Sequence, residues 1–112
     1  MGVGEVGVAA ATAVVGYDLM KDTKFQRSSR PRALTGFALK GSAAGGDTKV
    51  ELFIGNVYIA EFYNKDVGLP NMDDVQPMDM NYVPPAEDIH VYVTDAPSTN
   101  PIYARIVWRD LR

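Results

Sequence analysis

Apolar and polar residues alternate strictly from Glu87 to Thr94, which is the period of a β-strand with one buried face. The inward positions are Ile89, Val91 and Val93, and the outward positions are His90, Tyr92 and Thr94. A second alternating stretch has Ile102, Ala104, Ile106 and Trp108 on one face and Tyr103, Arg105, Val107 and Arg109 on the other. Both stretches are therefore predicted to be strands that cover a core.

A hairpin is the clearest local feature of the chain. Apolar-rich stretches from Lys49 to Ile54 and from Val57 to Tyr63 flank the pair Gly55-Asn56. Glycine followed by asparagine suits a two-residue type II′ turn. The resulting register places Ile54 opposite Val57, Phe53 opposite Tyr58 and Leu52 opposite Ile59. A three-residue loop is the alternative, and the like-charge pair it creates between Glu51 and Glu61 disfavours it.

The two-residue register leaves large apolar side chains on both faces of this hairpin. A chain of 112 residues has little material to cover both faces. A partner subunit would supply that cover.

Small residues dominate residues 1–16. As a strand, this stretch would place Val6, Val8, Ala10, Thr12 and Val14 on one face; as a short helix, it would align Val8, Ala11 and Val15. Four glycines disfavour a stable helix. The prediction is an extended arm or an edge strand.

About six to eight short strands, separated by Gly- and Pro-rich loops, indicate an all-β fold. We predict an antiparallel β-sandwich, of jelly-roll or immunoglobulin-like topology, with an extended N-terminal arm. The whole chain, 1–112, forms one domain in this interpretation. It comprises the arm (1–16), a basic linker segment (17–33) and the sandwich body (34–112), and the pattern does not define the strand order.

Composition excludes several classes of site. The chain has no cysteine, so disulfides, thiolate metal sites and cysteine nucleophiles are excluded. Its longest low-charge run, Val6 to Tyr17, is about half of the ~20 residues that a membrane-spanning helix needs. No transmembrane segment is therefore predicted.

Charge is segregated along the chain. Residues 21–49 carry seven cations against two acids, whereas residues 50–101 carry nine acids against one lysine. Such asymmetry can serve head-to-tail contacts between copies of one protein. The basic stretch from Lys21 to Arg32 could also neutralise phosphates. Because no nucleic-acid-binding motif accompanies it, nucleic acid is a possible partner but not the favoured one.

No catalytic constellation is evident, and the chain is not predicted to be an enzyme. His90 is the only histidine, and no serine lies in a nucleophile-elbow motif. Oxygen ligands for calcium are offered by Asp66, Asp73, Asp74 and Asp79. Their spacing does not match an EF-hand, so they are weak candidates and no metal or other cofactor is predicted.

Two stretches resemble small β-sandwich structural proteins, of the capsid type, from tailless icosahedral viruses. They are residues 34–55, with a small-residue loop between two strands, and residues 83–95, with the Pro-rich turn that follows. The resemblance implies a structural subunit located in a virion assembled in a host cell, with copies of itself and other structural proteins as partners. It identifies no functional residue.

The favoured function is accordingly that of a structural subunit in a larger assembly. The candidate contact residues are Val6, Val8, Val14, Lys21, Lys24, Arg27, Arg30, Arg32, Tyr103, Arg105 and Arg109. The alternative is a carbohydrate- or receptor-binding β-sandwich that uses its loops for recognition.

Overall fold

A computed structural model describes residues 2–9, 11–41, 46, 48–64, 75–97 and 101–111 of the chain. Every helix or strand in these ranges is a β-strand, which confirms the all-β prediction. The strands are β1 (Gly2–Val8), β2 (Arg32–Gly41), β3 (Lys49–Ile54), β4 (Val57–Tyr63), β5 (Gln76–Val83), β6 (Ile89–Asp95) and β7 (Ile102–Asp110).

The strands form two antiparallel sheets. The first sheet has the order β1-β7-β2-β5, and the second has the order β4-β3-β6. Strands β1 and β5 are therefore the edges of the first sheet, and β4 and β6 are the edges of the second. The prediction of a β-sandwich is confirmed.

The core lies between the sheets and consists of inward-facing side chains from both. Strand β6 contributes Ile89, Val91 and Val93, all at most 1% exposed, as its alternating pattern predicts. Strand β7 contributes Ile102, Ala104 and Ile106 from the predicted inward face. Phe37 and Phe62 meet across the two sheets, with ring centroids 4.6 Å apart.

The β3–β4 hairpin has the predicted turn but only part of the predicted register. Gly55 has a φ of 60°, as the first central residue of a type II′ turn requires. Ile54 pairs with Val57 and Phe53 with Tyr58, but a bulge then pairs Leu52 with Ala60. The predicted pairing of Leu52 with Ile59 is wrong, because Ile59 is the extra residue of this bulge.

The bulge restores a one-sided core for the hairpin. It aligns Val50 with Phe62, both of which are buried. It also sets Glu51 opposite Glu61, and Lys49 offsets this like-charge pair by approaching Glu61 to 3.0 Å.

Strand β1 belongs to the first sheet, where it pairs with β7 along its whole length. A separate N-terminal arm is therefore not confirmed. The glycines of β1 make room for aromatic rings, because a Cβ at Gly2 would lie 2.1 Å from Trp108 and a Cβ at Gly4 would lie 2.6 Å from Phe25. The small residues of this stretch thus allow two rings to pack against its backbone.

Candidate interaction surfaces

Strands β4 and β5 flank an open side of the sandwich. Each is the outermost described strand of its sheet, and the two lie across a groove from each other. One end of the groove has a volume of about 380 Å³ and is lined by Ile54, Asn56, Val57, Ile59, Tyr82, Pro84 and Glu87. Its other end, about 330 Å³, lies between residues 59–62 of β4 and residues 76–81 of β5. We call this surface the open edge.

Irregular pairing of β5 shapes the open edge. Leu34 of β2 pairs with Asn81, but the next paired residue of β2, Gly36, is opposite Pro77. Residues 78–80 therefore leave the ladder, and Met80 takes a φ of 52°. Proline and bulges are typical of edge strands, since neither is compatible with a regular ladder on both sides.

Large apolar side chains are exposed along the open edge. Among the described residues, eight large hydrophobic side chains are exposed, and five of them belong to β4 or β5. These five are Val57, Tyr58, Tyr63, Met80 and Tyr82. Apolar side chains that cluster in this way are typical of contact surfaces, whereas scattered ones are ordinary.

Acidic groups line the open edge. Glu61 lies on β4, Asp79 is exposed on β5, and Glu87 forms part of the groove wall. Lys49 is paired with Glu61, and the hydrogen bond and charge of Glu61 raise the pKa of this lysine. The end of the groove beside Ile54, Val57 and Ile59 is thus mainly apolar, whereas the end between residues 59–62 and 76–81 is mainly polar and acidic.

The outer edge of β6, on the opposite side of the second sheet, is covered by residues 14–28, which we call the covering segment. The amides of Gly16 and Leu19 donate to the carbonyls of Val93 and Val91, each at 2.8 Å. Further along, the amide of Ile89 donates to the carbonyl of Gln26 at 2.9 Å. These three outward-facing backbone groups of β6 therefore have partners in the covering segment.

Asp18 fastens the covering segment to β6. One carboxylate oxygen accepts hydrogen bonds from the amides of Val91 and Met20, at 2.9 and 3.0 Å. The other lies 2.8 Å from Nδ1 of His90 and accepts from Gln26 Nε2 at 3.0 Å. His90, considered above for catalysis, is thus one partner of a structural carboxylate, and sequence reasoning did not identify Asp18.

Four of the predicted basic contact residues on or next to the covering segment are exposed. Lys21, Lys24 and Arg30 are exposed on or next to the covering segment. Arg27 is also exposed, and its guanidinium binds Asp88 through two hydrogen bonds of 2.7 and 3.1 Å. This contact raises the pKa of Arg27 and lowers the pKa of Asp88.

Arg32, predicted as a contact residue, is only 1% exposed. Its guanidinium donates to the carbonyls of Phe25 and Gln26 and lies 5.8 Å from the centre of the Trp108 ring. Burial lowers the pKa of Arg32, and the charge of Asp110 opposes that shift. Arg32 thus fixes the path of the covering segment.

A basic cavity of about 360 Å³ lies beside Arg32. It is lined by Lys24, Phe25, Arg27, Ser28, Arg32, Trp108 and Asp110. Phe25 and Trp108 stack at 5.9 Å between ring centroids. The alternating pattern predicts an inward position for Trp108. Its side chain is only half-buried, and it packs against the core at one end.

The remaining contact candidates are divided between surface and interior. Val8 is buried and Val6 is half-buried against the core, whereas Val14 is 54% exposed. Arg105 forms an ion pair with Glu5 on the neighbouring strand β1. Tyr103 is half-buried and Arg109 is exposed on the same face of β7.

An aromatic cluster covers the outer face of the second sheet. Phe53 makes edge contacts with Tyr58 and Tyr92, at 5.7 and 5.5 Å between centroids. The His90 ring stacks on Tyr92 at 5.3 Å and 13°. The alternating pattern predicts an outward position for Tyr92 and His90, whereas the contact with Phe53 depends on the pairing of β3 with β6.

The calcium candidates are only partly within the described residues. Asp66, Asp73 and Asp74 lie outside them, and Asp79 is exposed on β5. In the described part of the chain, no group of three or more histidine or acidic residues is arranged to hold a metal ion. Nor does that part contain a helix long and apolar enough to cross a membrane.

Comparisons with protein-family models, with curated proteins and with solved structures give no match. The function is therefore inferred from the surfaces described above.

Proposed function

We propose that this protein is a structural subunit of a larger protein assembly, namely a capsid or capsid-associated protein of a virus particle. It acts through subunit–subunit contacts with copies of itself and with other structural proteins.

Strand order is the observation that carries this proposal. In an eight-stranded jelly roll, the first and last strands are neighbours in one sheet, and the second strand lies beside the seventh in the other. Here β1 pairs with β7, and the covering segment lies along β6, where Asp18 and Tyr92 form a bridge. The chain thus follows jelly-roll order, with the covering segment in the position of the second strand. Jelly rolls are typical of viral capsid domains and of lectins.

The open edge gives the second support. Among the described residues, no strand pairs with the outer edge of β4 or of β5, and exposed strand edges with apolar side chains promote association. In an assembly, these side chains would be buried between subunits. The five exposed apolar residues of β4 and β5 are consistent with that use.

The mass of the purified protein in solution tests the proposal. Sedimentation velocity across a hundred-fold range of protein concentration should show large species, and electron microscopy should show particles or regular fragments of them. Salt should change their size, because exposed charges are screened at high ionic strength. A single monomeric species under all these conditions, with or without the other proteins of its source particle, would contradict the proposal.

A lectin-like module is the second candidate, and the aromatic cluster favours it. Tyr58 is 50% exposed and could stack on the apolar face of a sugar ring, while Glu51 lies on the same sheet as a hydrogen-bond acceptor. A glycan array, probed with the natural protein and with Tyr58→Ala, tests this candidate. Glycan binding that Tyr58→Ala abolishes, and that Tyr103→Ala on the other sheet leaves intact, would establish it.

A further inference from the structure

Exposed apolar side chains occur at two opposite sides of the sandwich. Five lie on β4 or β5, and two of these, Val57 and Tyr82, line the groove of the open edge. The other three, Val3, Val14 and Val15, lie on β1 or at the start of the covering segment. Strands β1 and β6 lie at the opposite ends of their sheets from β5 and β4. We call the surface that carries these three valines and the covering segment the covered edge.

The two edges also differ in charge. The open edge carries Glu61, Asp79 and Glu87, with Lys49 already paired with Glu61. The covered edge carries the exposed cations Lys21, Lys24 and Arg30. Asp22, an exposed acid of the same segment, offsets one of these three cations. The carboxylate of Asp18 is turned toward His90 and the amides of β6. The open edge therefore has a net negative charge and the covered edge a net positive charge, and both carry exposed apolar side chains.

We infer that the open edge of one copy of this chain binds the covered edge of the next copy, head to tail. This inference rests on the proposed function and names the surfaces through which the subunits assemble. Val14 and Val15, which are 54% and 67% exposed, pack into the groove between β4 and β5. Lys21 and Lys24 then approach the acidic margin of that groove, where opposite charges guide the encounter and select the register.

A second copy is the occupant because the complementary surface is present on the same chain. A symmetric contact between two open edges would bring two acidic margins together, and like charges at close range oppose such a contact. Contact between two different surfaces repeats from copy to copy, so it forms a closed ring when its rotation closes and a filament when it does not.

Charge reversal on each edge provides the test. The open-edge variant carries Asp79→Lys and Tyr82→Lys, and the covered-edge variant carries Lys21→Glu and Lys24→Glu. All four side chains are exposed, so both variants should fold, and thermal melts followed by circular dichroism verify this.

Sedimentation velocity then compares natural protein, each variant alone, and an equimolar mixture of the two variants. Each variant alone should shift the assembly midpoint to at least ten-fold higher protein concentration, because its two edges now carry the same sign of charge. The mixture should recover assembly, since each variant presents the edge that complements the other.

Different failures have different meanings. If the natural protein assembles and either variant alone does so equally well, or the mixture fails to recover, the head-to-tail contact is wrong and the assembly function stands. If the natural protein is monomeric at all concentrations, the head-to-tail contact is overturned, and the proposed function is overturned as well when the protein stays monomeric with the other proteins of its source particle.

Discussion

His90 Nδ1 lies 2.8 Å from Asp18 Oδ2, and this contact joins the outward face of β6 to the covering segment. The other oxygen of Asp18 binds the amides of Val91 and Met20. A single half-buried carboxylate therefore links Asp18 to His90, which lies 72 positions further along the chain. The covering segment is therefore held along β6 by this carboxylate in addition to its backbone hydrogen bonds.

Asp18→Ala should lower the free energy of unfolding by about 3 kcal/mol, because it leaves two buried amides and the imidazole without their charged acceptor. Urea denaturation measures the effect. Asp79→Ala, at an exposed position, is the control and should cost less than about 1 kcal/mol. Equal costs for the two variants would show that Asp18 does not hold the covering segment.

Trp108→Ala should destabilise the protein by about 3 kcal/mol. The indole packs on Phe25, fills the space that Gly2 leaves, and lies against the guanidinium of Arg32. Its removal opens a cavity and deprives a buried cation of its aromatic neighbour. Tyr58→Ala, which truncates a half-exposed ring, should cost less than half as much in the same denaturation experiment.

Sequence pattern predicted the strands well where one face is buried. The alternation in β6 identified its inward residues correctly, and the Gly55-Asn56 pair identified the hairpin. Strand order was not predictable, because the neighbours of each strand are chosen by packing of the complete core. The pairing of β1 with β7 joins the two ends of the described chain, and no local signal encodes it.

Bulges limited the prediction of register. A single extra residue, Ile59, moves Leu52 from its predicted partner to Ala60. A second bulge at Thr35 shifts the pairing of β2 with both neighbours. Side-chain alternation is regular on either side of such a point but not across it, so the pattern cannot locate the extra residue.

The contact surfaces were only partly predictable for a similar reason. The basic residues were identified from composition, but Arg32 is buried and Arg105 is paired with Glu5. The open edge was not foreseen, because it requires β4 and β5 to be outermost in different sheets. Asp18 gave no signal, since one acid in a polar stretch is ordinary until its partners on β6 are known.

The contact between Arg27 and Asp88 should give a measurable pH dependence of stability. Arg27 lowers the pKa of Asp88, chiefly through the hydrogen bond between them, so the folded state holds the Asp88 proton less tightly than the unfolded state does. The stabilisation is complete above the unfolded-state pKa of about 3.9 and is lost as the pH falls through the lower folded-state value.

Asp88→Asn should therefore be less stable than the natural protein near neutral pH and equally stable at the acidic end of the titration. Urea denaturation at a series of pH values checks this. In an Arg27→Gln background, Asp88→Asn should make no pH-dependent difference. Persistence of the difference in that background would assign it to another group.

Gly41→Ala should cost clearly more stability than Gly16→Ala. Both glycines have a positive φ, 107° and 93°, so alanine is strained at either position. At Gly16 a new Cβ meets no atom within 4 Å, whereas at Gly41 it would lie 2.4 Å from the carbonyl oxygen of Pro101. That oxygen is backbone at the start of β7, and Asn64 Nδ2 also donates to the Gly41 carbonyl at 2.9 Å, so neither side can move freely.

Gly16→Ala should therefore show the backbone strain alone, about 1 to 2 kcal/mol. Gly41→Ala adds a displacement of β2 from β7, and we expect at least twice that loss in thermal and urea denaturation. Equal losses would mean that the end of β7 adjusts without cost. The pairing of β2 with β7 near Ile102 would then contribute little to the stability of the first sheet.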